Sequence, residues 1–227
     1  MTPTISDRPA VVMCFGDSNT WGHPPIESLD VSVRRYDRTQ RWPGVMADAL
    51  GDGFVVIEEG LNGRTTVFDD PVEGADRNGL TYLPACLESH KPLDVVVIML
   101  GTNDLKGRFA ASAFDVAWGA ARLVEVARTG GYGREGSAPE IVLVAPPRLG
   151  PLSTFAELFV GGEAKSALLS ERLRGFAATL DCGFMDAAQL VETSSVDGIH
   201  LGPEAHHLLG RALAEQVGAA VDDSVAG

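Results

Sequence analysis

The sequence predicts an α/β sandwich built on a parallel sheet, and three observations carry that prediction. Short, unbroken apolar runs recur at wide spacing, helix-like stretches fill the intervals, and 45% of the 227 residues are hydrophobic. Unbroken apolar runs suit strands covered on both faces, as in a parallel sheet. Strands alternating with helices point to layered α/β packing. The apolar share suffices for one large core, so residues 1–227 read as one domain with flexible ends at 1–9 and 222–227.

The strands are expected at 10–15 (AVVMCF), 54–57 (FVVI), 95–100 (VVVIML), 141–145 (IVLVA) and, on a weaker signal, 184–187. Helices are expected over 44–50, 82–90, 113–128, 163–180 and from 203 to about 221. Pro203 suits the start of the last, because proline at the first helical position lacks only an amide that would be unpaired anyway. The glycine-rich piece 130–137 (GGYGREGS) reads as a loop. Its Gly131-Tyr-Gly133-Arg-Glu-Gly136 fits GxGxxG but follows a helix and precedes a strand. A dinucleotide would then meet no helix N-terminus, so no nucleotide cofactor is expected.

A net charge of −13 repels phosphate backbones and anionic lipid, which argues against nucleic-acid or membrane-surface partners. The three cysteines, Cys14, Cys86 and Cys182, are scattered in apolar contexts without a CxxC pair and are expected to be free thiols. The first residues lack a basic stretch followed by a long apolar one, and no apolar run is long enough to span a bilayer. The expectation is a cytoplasmic protein.

Ligands in open α/β sheets bind outside the carboxyl ends of the strands. The first strand runs into Gly16-Asp17-Ser18-Asn19-Thr20, the second into Glu58-Glu59-Gly60-Leu61-Asn62-Gly63-Arg64-Thr65-Thr66, and the third into Gly101-Thr102-Asn103-Asp104. Three successive strands thus deliver small, donor-rich turns to one edge. Ser18 alone reads most simply as a helix N-cap. As a nucleophile it would need a base to take its proton and donors for the oxyanion.

Among five histidines, His200 is the best candidate base. It follows Asp197 and Gly198 in VDGIH, where a tight turn could bring the carboxylate to the imidazole N–H and fix its tautomer. The bland alternative is a solvated histidine in a surface turn. His206 and His207 fall inside the last helix, His90 ends an earlier one, and His23 lies near Ser18. Gly63 offers an open backbone N–H and Asn103 a side-chain amide, although Asn103 and Asp104 could equally be helix or turn caps. Metal binding is not expected: there is no HExxH, carboxylate cluster or Cys/His pairing.

Together Gly16-Asp17-Ser18, Asn62-Gly63, Gly101-Thr102-Asn103-Asp104 and Asp197-Gly198-Ile199-His200 resemble the four blocks of the SGNH hydrolases, the GDSL-type esterases, in the family's order. CFGDSNTWG, RWPGVMADAL, VIEEGLNGRTT, YLPACLESH and PLDVVVIMLGTND further resemble the aryl-ester hydrolase and acyltransferase branch known from mycobacteria. The resemblance spans roughly residues 10–217. It implies a flavodoxin-like three-layer α/β/α sandwich of about five parallel strands. It also implies an esterase acting on small acyl esters without a cofactor, transfer of the acyl group to alcohols or peroxide, and a homo-oligomer whose interfaces narrow the channel. By position it makes Ser18 the nucleophile, His200 the base and Asp197 its orienter. The N–H groups of Ser18 and Gly63 and the Asn103 side chain would form the oxyanion hole.

The chain departs from the family in carrying Asn19 where leucine is usual and His23 where an aromatic is expected, and the segment 148–160 is about two residues short. Asn19, Trp21, His23, Thr102, Phe155, Phe159 and Ile199 are expected to line the channel, with Asn19 and His23 wetting its mouth. Phe155 and Phe159, spaced i, i+4, could instead be ordinary core. Two rival readings are a carbohydrate O-deacetylase with the same triad and a non-catalytic binding module on the same fold.

Overall fold

The computed structural model describes residues 8–226, with side chains described through Asp222. Residues 1–7 and 227 of the expected flexible ends lie outside the described residues. Five strands, β1 (Ala10–Gly16), β2 (Phe54–Gly60), β3 (Val95–Met99), β4 (Glu140–Ala145) and β5 (Gly183–Asp186), form one all-parallel sheet in the order β2-β1-β3-β4-β5. Six helices accompany them: α1 (Ser18–Trp21), α2 (Trp42–Leu50), α3 (Gly79–His90), α4 (Ala113–Thr129), α5 (Gly162–Thr179) and α6 (Pro203–Ala226). This is the expected parallel α/β sandwich, and its strand order is the flavodoxin-like one.

The pleat of β3 explains the layering. Val96 and Ile98 face a core shared with Leu83 and Leu87 of α3, Val116 and Leu123 of α4, and Leu169 and Leu173 of α5. Val95, Val97 and Met99 face the opposite core, made with Trp42 and Met46 of α2 and Leu209, Leu213 and Val217 of α6. All five β3 side chains are buried, each worth roughly 1.5–3 kcal/mol relative to exposure. That two-sided burial is why the strand reads as an unbroken apolar run.

Two elements differ from expectation. β2 lies at the sheet edge, so Val55 is 45% exposed, and the strand continues through Glu58 and Glu59 to Gly60. Its acidic end is tolerated because Arg35 and Arg41 pair with Glu58 and His90 with Glu59. The last helix runs to Ala226, so the backbone of 222–226, expected to fray, is helical. Among the described residues no helix is long and apolar enough to cross a membrane.

Strand order reverses between β1 and β3, where the connections from neighbouring strands leave toward opposite faces. In this class of sheet the crevice at that switch point is the natural ligand site.

Candidate active site

β1 ends at Gly16, and Asp17 rather than Ser18 caps the short helix that follows. The Asp17 side chain accepts from Asn19 N–H at 3.0 Å, and Gly22, at φ +89°, ends α1 after a single turn. Ser18 is therefore the first helical residue, buried to 6% exposure, with its side chain released from capping.

The turn carrying Asp197 and His200 is closed by two backbone bonds, Gly198 N–H to Ser194 O and Ser194 N–H to His200 O, both 2.8 Å. Gly198 has φ +72°, and a Cβ there would stand 2.6 Å from the Pro151 carbonyl oxygen, so only glycine fits. The fold brings this turn to the end of β1. Asp197 Oδ2 lies 2.7 Å from His200 Nδ1, and His200 Nε2 lies 3.1 Å from Ser18 Oγ. With Nδ1–H donating to the carboxylate, Nε2 carries the lone pair that accepts from the serine hydroxyl.

Asp197 is fully buried, and every bond to it is accepted. Oδ1 receives Ile199 N–H at 3.0 Å and His200 N–H at 2.9 Å, while Oδ2 receives Ile26 N–H at 3.0 Å besides the imidazole. Burial pushes its pKa up, but the hydrogen bond and charge of His200 and the backbone donors outweigh burial and hold it below the ordinary carboxylate value.

The turns after β1, β2 and β3 are stitched together. The Gly16 carbonyl accepts from Leu61 N–H at 3.1 Å and from the Arg64 guanidinium at 2.9 Å, and the Arg64 carbonyl accepts from Asn103 Nδ2 at 3.1 Å. Asp104 accepts from Thr66 N–H at 2.9 Å. Asn103 thus spends one amide hydrogen on orientation and keeps a second donor. The N–H groups of Ser18 and Gly63 find no acceptor among the described residues. Gly63 adopts φ +77°, the left-handed conformation that glycine takes without strain. Burial also raises the carboxyls of Asp17 and Asp104 to about 6 each.

The remaining expected residues divide. His23, half-buried, stacks on the His200 ring with centroids 4.3 Å apart and planes 23° apart, while its Nδ1 lies 2.7 Å from the Pro24 carbonyl. Burial first, and then the charge of His200, lower its pKa. Phe155, half-buried, meets the His200 ring edge-on at 5.8 Å, and Trp21 lies 6.0 Å from the His23 ring. Thr102 is buried at the turn before Asn103, and Ile199 is buried in the core packed with α3, α4 and α5.

Two expected channel residues are corrected. Phe159 is 2% exposed and packs in the core, touching Phe155 edge-on, so the i, i+4 pair sends only Phe155 to His200. Asn19 is likewise 2% exposed and does not wet a channel mouth, because its side chain is bonded to the backbone of Ile199 and Leu201.

Arg64 is a site residue that sequence reasoning missed. It is 2% exposed, lies over the Phe15 ring at 4.1 Å, and joins two of the three turns. The only sequence signal was a basic residue inside the small, polar stretch GLNGRTT. A Cys/His pair, absent from the sequence reading, also appears: Cys86 and His90, spaced i, i+4 on α3, meet Glu59 with ligand-type atoms within 4.8 Å of one another. These groups satisfy each other. His90 Nε2 is 2.9 Å from Glu59 Oε1, and burial plus the Glu59 charge push the Cys86 thiol up to about 12. The Cys86 thiol also lies 3.5 Å from Met13 Sδ in the core beneath α3.

Residues 14–208 match the GDSL-like lipase/acylhydrolase family. Among solved structures, Est24, a carbohydrate acetylesterase from Sinorhizobium meliloti, is 44% identical with a TM-score of 0.88, over 92% of this chain and 99% of that one. The M. smegmatis aryl esterase is 42% identical with a TM-score of 0.88, over 93% and 99%. A protein described as a putative arylesterase from Agrobacterium tumefaciens is 38% identical with a TM-score of 0.81, over 93% and 99%. No curated protein matches the chain. A serine held by a histidine–aspartate pair at the switch point of a parallel sheet agrees with these likenesses: the chain belongs to the GDSL-like lipase/acylhydrolase family and is a carboxylic ester hydrolase.

Proposed function

We propose that the chain hydrolyses small aryl or short alkyl esters in two steps, with Ser18 as nucleophile. Ser18 Oγ attacks the ester carbonyl while His200 Nε2 takes its proton, and the tetrahedral oxyanion is held by the N–H groups of Ser18 and Gly63 and the free Asn103 donor. Collapse expels the alcohol or phenol, protonated by His200, and leaves an acyl-serine. Water then adds under the same base to release the acid, and an alcohol in place of water would give acyl transfer. Asp197 holds the tautomer and offsets the imidazolium charge.

The observation that carries this reading is the continuous chain of Asp197, His200 and Ser18 at 2.7 and 3.1 Å. Turnover of p-nitrophenyl acetate by the wild type and by Ser18→Ala tests it. The variant should keep the far-UV circular dichroism of the wild type and lose nearly all activity; persistent turnover overturns the assignment of Ser18 as nucleophile, whereas a wild type without turnover would leave the binding-module reading.

A second reading is a carbohydrate O-deacetylase using the same residues, and the likeness to a carbohydrate acetylesterase supports it. Rates across p-nitrophenyl esters of rising chain length, set against acetylated sugars, separate the two. The proposal includes a homo-oligomer in the cytoplasm, for which light scattering and cell fractionation are the tests.

A further inference from the structure

The four backbone groups around His200 are all pinned, and the two outer ones are pinned by one side chain. His200 N–H donates to Asp197 Oδ1 at 2.9 Å and His200 O accepts from Ser194 N–H at 2.8 Å. On either side, the Ile199 carbonyl accepts from Asn19 Nδ2 at 3.1 Å, and Leu201 N–H donates to Asn19 Oδ1 at 2.9 Å. The Asn19 amide therefore pairs with the segment as a neighbouring strand would, donating to residue i−1 and accepting from residue i+1. Only a carboxamide offers a donor and an acceptor at that spacing, and no free rotor is left.

Asn19 is itself fixed. Its backbone N–H donates to Asp17 Oδ1 at 3.0 Å, and it is 2% exposed. It directly follows Ser18 in the chain. One residue thus links the peptide that carries Ser18 Oγ to the peptides flanking the imidazole that must reach it. The leucine usual at this position in the resembling family could fill the space but could not pair Ile199 O or Leu201 N–H.

We propose that Asn19 is a positioning residue that sets the distance and angle between Ser18 Oγ and His200 Nε2. The inference rests on the reading of Ser18 and His200 as nucleophile and base. Proton transfer between them is steeply geometric, and a misplacement near 1 Å costs on the order of 10² in rate. With Asn19 replaced, acylation and deacylation should slow together, because both use the same base, while substrate binding is unaffected.

The test compares wild type, Asn19→Leu, Asn19→Asp and Ser18→Ala on p-nitrophenyl acetate, with the rates of the first three divided by active sites counted in an end-point fluorophosphonate titration and that of Ser18→Ala by protein concentration. Asn19→Asp is nearly isosteric and keeps the acceptor for Leu201 N–H, so it guards against a leucine variant that does not fold. Asn19→Leu should lose about 10- to 100-fold in kcat with KM held within about threefold, and Asn19→Asp should fall between it and the wild type. The His200 Nδ1 proton, which should resonate far downfield in the wild type, should move or broaden in both Asn19 variants.

A merely structural role would lower the melting temperature and leave kcat per active site and the downfield proton unchanged; that result overturns the proposal. So does a loss confined to KM. If Ser18→Ala retains activity, the assignment of the nucleophile fails instead, so the two failures are told apart.

Discussion

Replacing Asp197 by asparagine should damage both the chemistry and the fold, because this carboxylate is surrounded by donors alone. Four N–H groups converge on it, two on each oxygen, at 2.7–3.0 Å. An amide supplies one oxygen and one NH2. With the NH2 in place of Oδ1 it would oppose two backbone N–H groups that cannot turn away. With the NH2 in place of Oδ2 it opposes Ile26 N–H and the imidazole, and only the imidazole can adapt, by moving its proton from Nδ1 to Nε2. The second arrangement should win, and it removes the lone pair that accepts from Ser18.

The magnitudes follow. Charge-assisted bonds weaken to neutral ones, and Ile26 N–H is left buried and unpaired at about 1–3 kcal/mol, so the fold should lose roughly 2–4 kcal/mol. The wrong tautomer should lower kcat by about 10⁴. Because Asp197 has its pKa lowered by folding, its contribution is present above the ordinary value of 3.8 and is lost as pH falls through the folded value. The gap between wild type and Asp197→Asn should therefore be flat near neutrality and close below about pH 4. Urea unfolding at several pH values and p-nitrophenyl acetate kinetics measure both quantities. A variant within about 0.5 kcal/mol of wild type, or one keeping more than about a tenth of its kcat, would refute the four-donor account.

Asn103, His206 and His23 each give one further expectation. Asn103→Ala should lower kcat by on the order of 10²–10³ with little change in KM, and a loss seen only in KM would place Asn103 outside the transition state. His206 is held neutral by burial and, to a smaller extent, by the charge of His200, with its pKa lowered from 6.5 to about 3. As pH falls below about 6.5 the unfolded chain takes this proton and the folded one does not, so stability drains by about 2 kcal/mol between pH 7 and 5. His206→Gln, which still offers an acceptor to Trp42 N–H, should lose that share, so its stability gap to the wild type should shrink by that amount; a pH-independent gap in urea titrations contradicts it. His23→Phe should raise the ratio of ester product to free acid when an alcohol is added to p-nitrophenyl acetate, and an unchanged ratio would detach His23 from acceptor choice.

The parts of the fold legible in the sequence are those whose causes are local. β3 could be read because two-sided burial leaves no polar position in it, and α6 because Pro203 marks its start. The end of β2 could not, since Glu58 and Glu59 look like a turn until Arg35, Arg41 and His90 are brought beside them. α1 is a single turn of four residues, too short to show a period. The Asp197–His200 contact was legible because the two residues are three apart, whereas Ser18 at the end of a strand read by itself as a helix cap and was joined to them only through the family resemblance. Arg64 was not legible, because its acceptor, Gly16 O, lies 48 positions away in the chain.

Asn19 and His23 show where sequence reasoning about a site breaks down. Both are polar where the resembling family is apolar, and polarity alone gave them one meaning, a wetter channel. The fold gives them two. Asn19 turns its amide to backbone groups 180 and 182 positions away and has no surface to offer a ligand. His23 is only half-buried and stacks on the His200 ring. A polar side chain at a strand end can serve the reaction or serve the loop that serves the reaction, and only its partner decides. If water competes with other acyl acceptors here, exchanging His23 should shift that competition, and exchanging Asn19 should alter how fast the acyl group moves without altering where it goes.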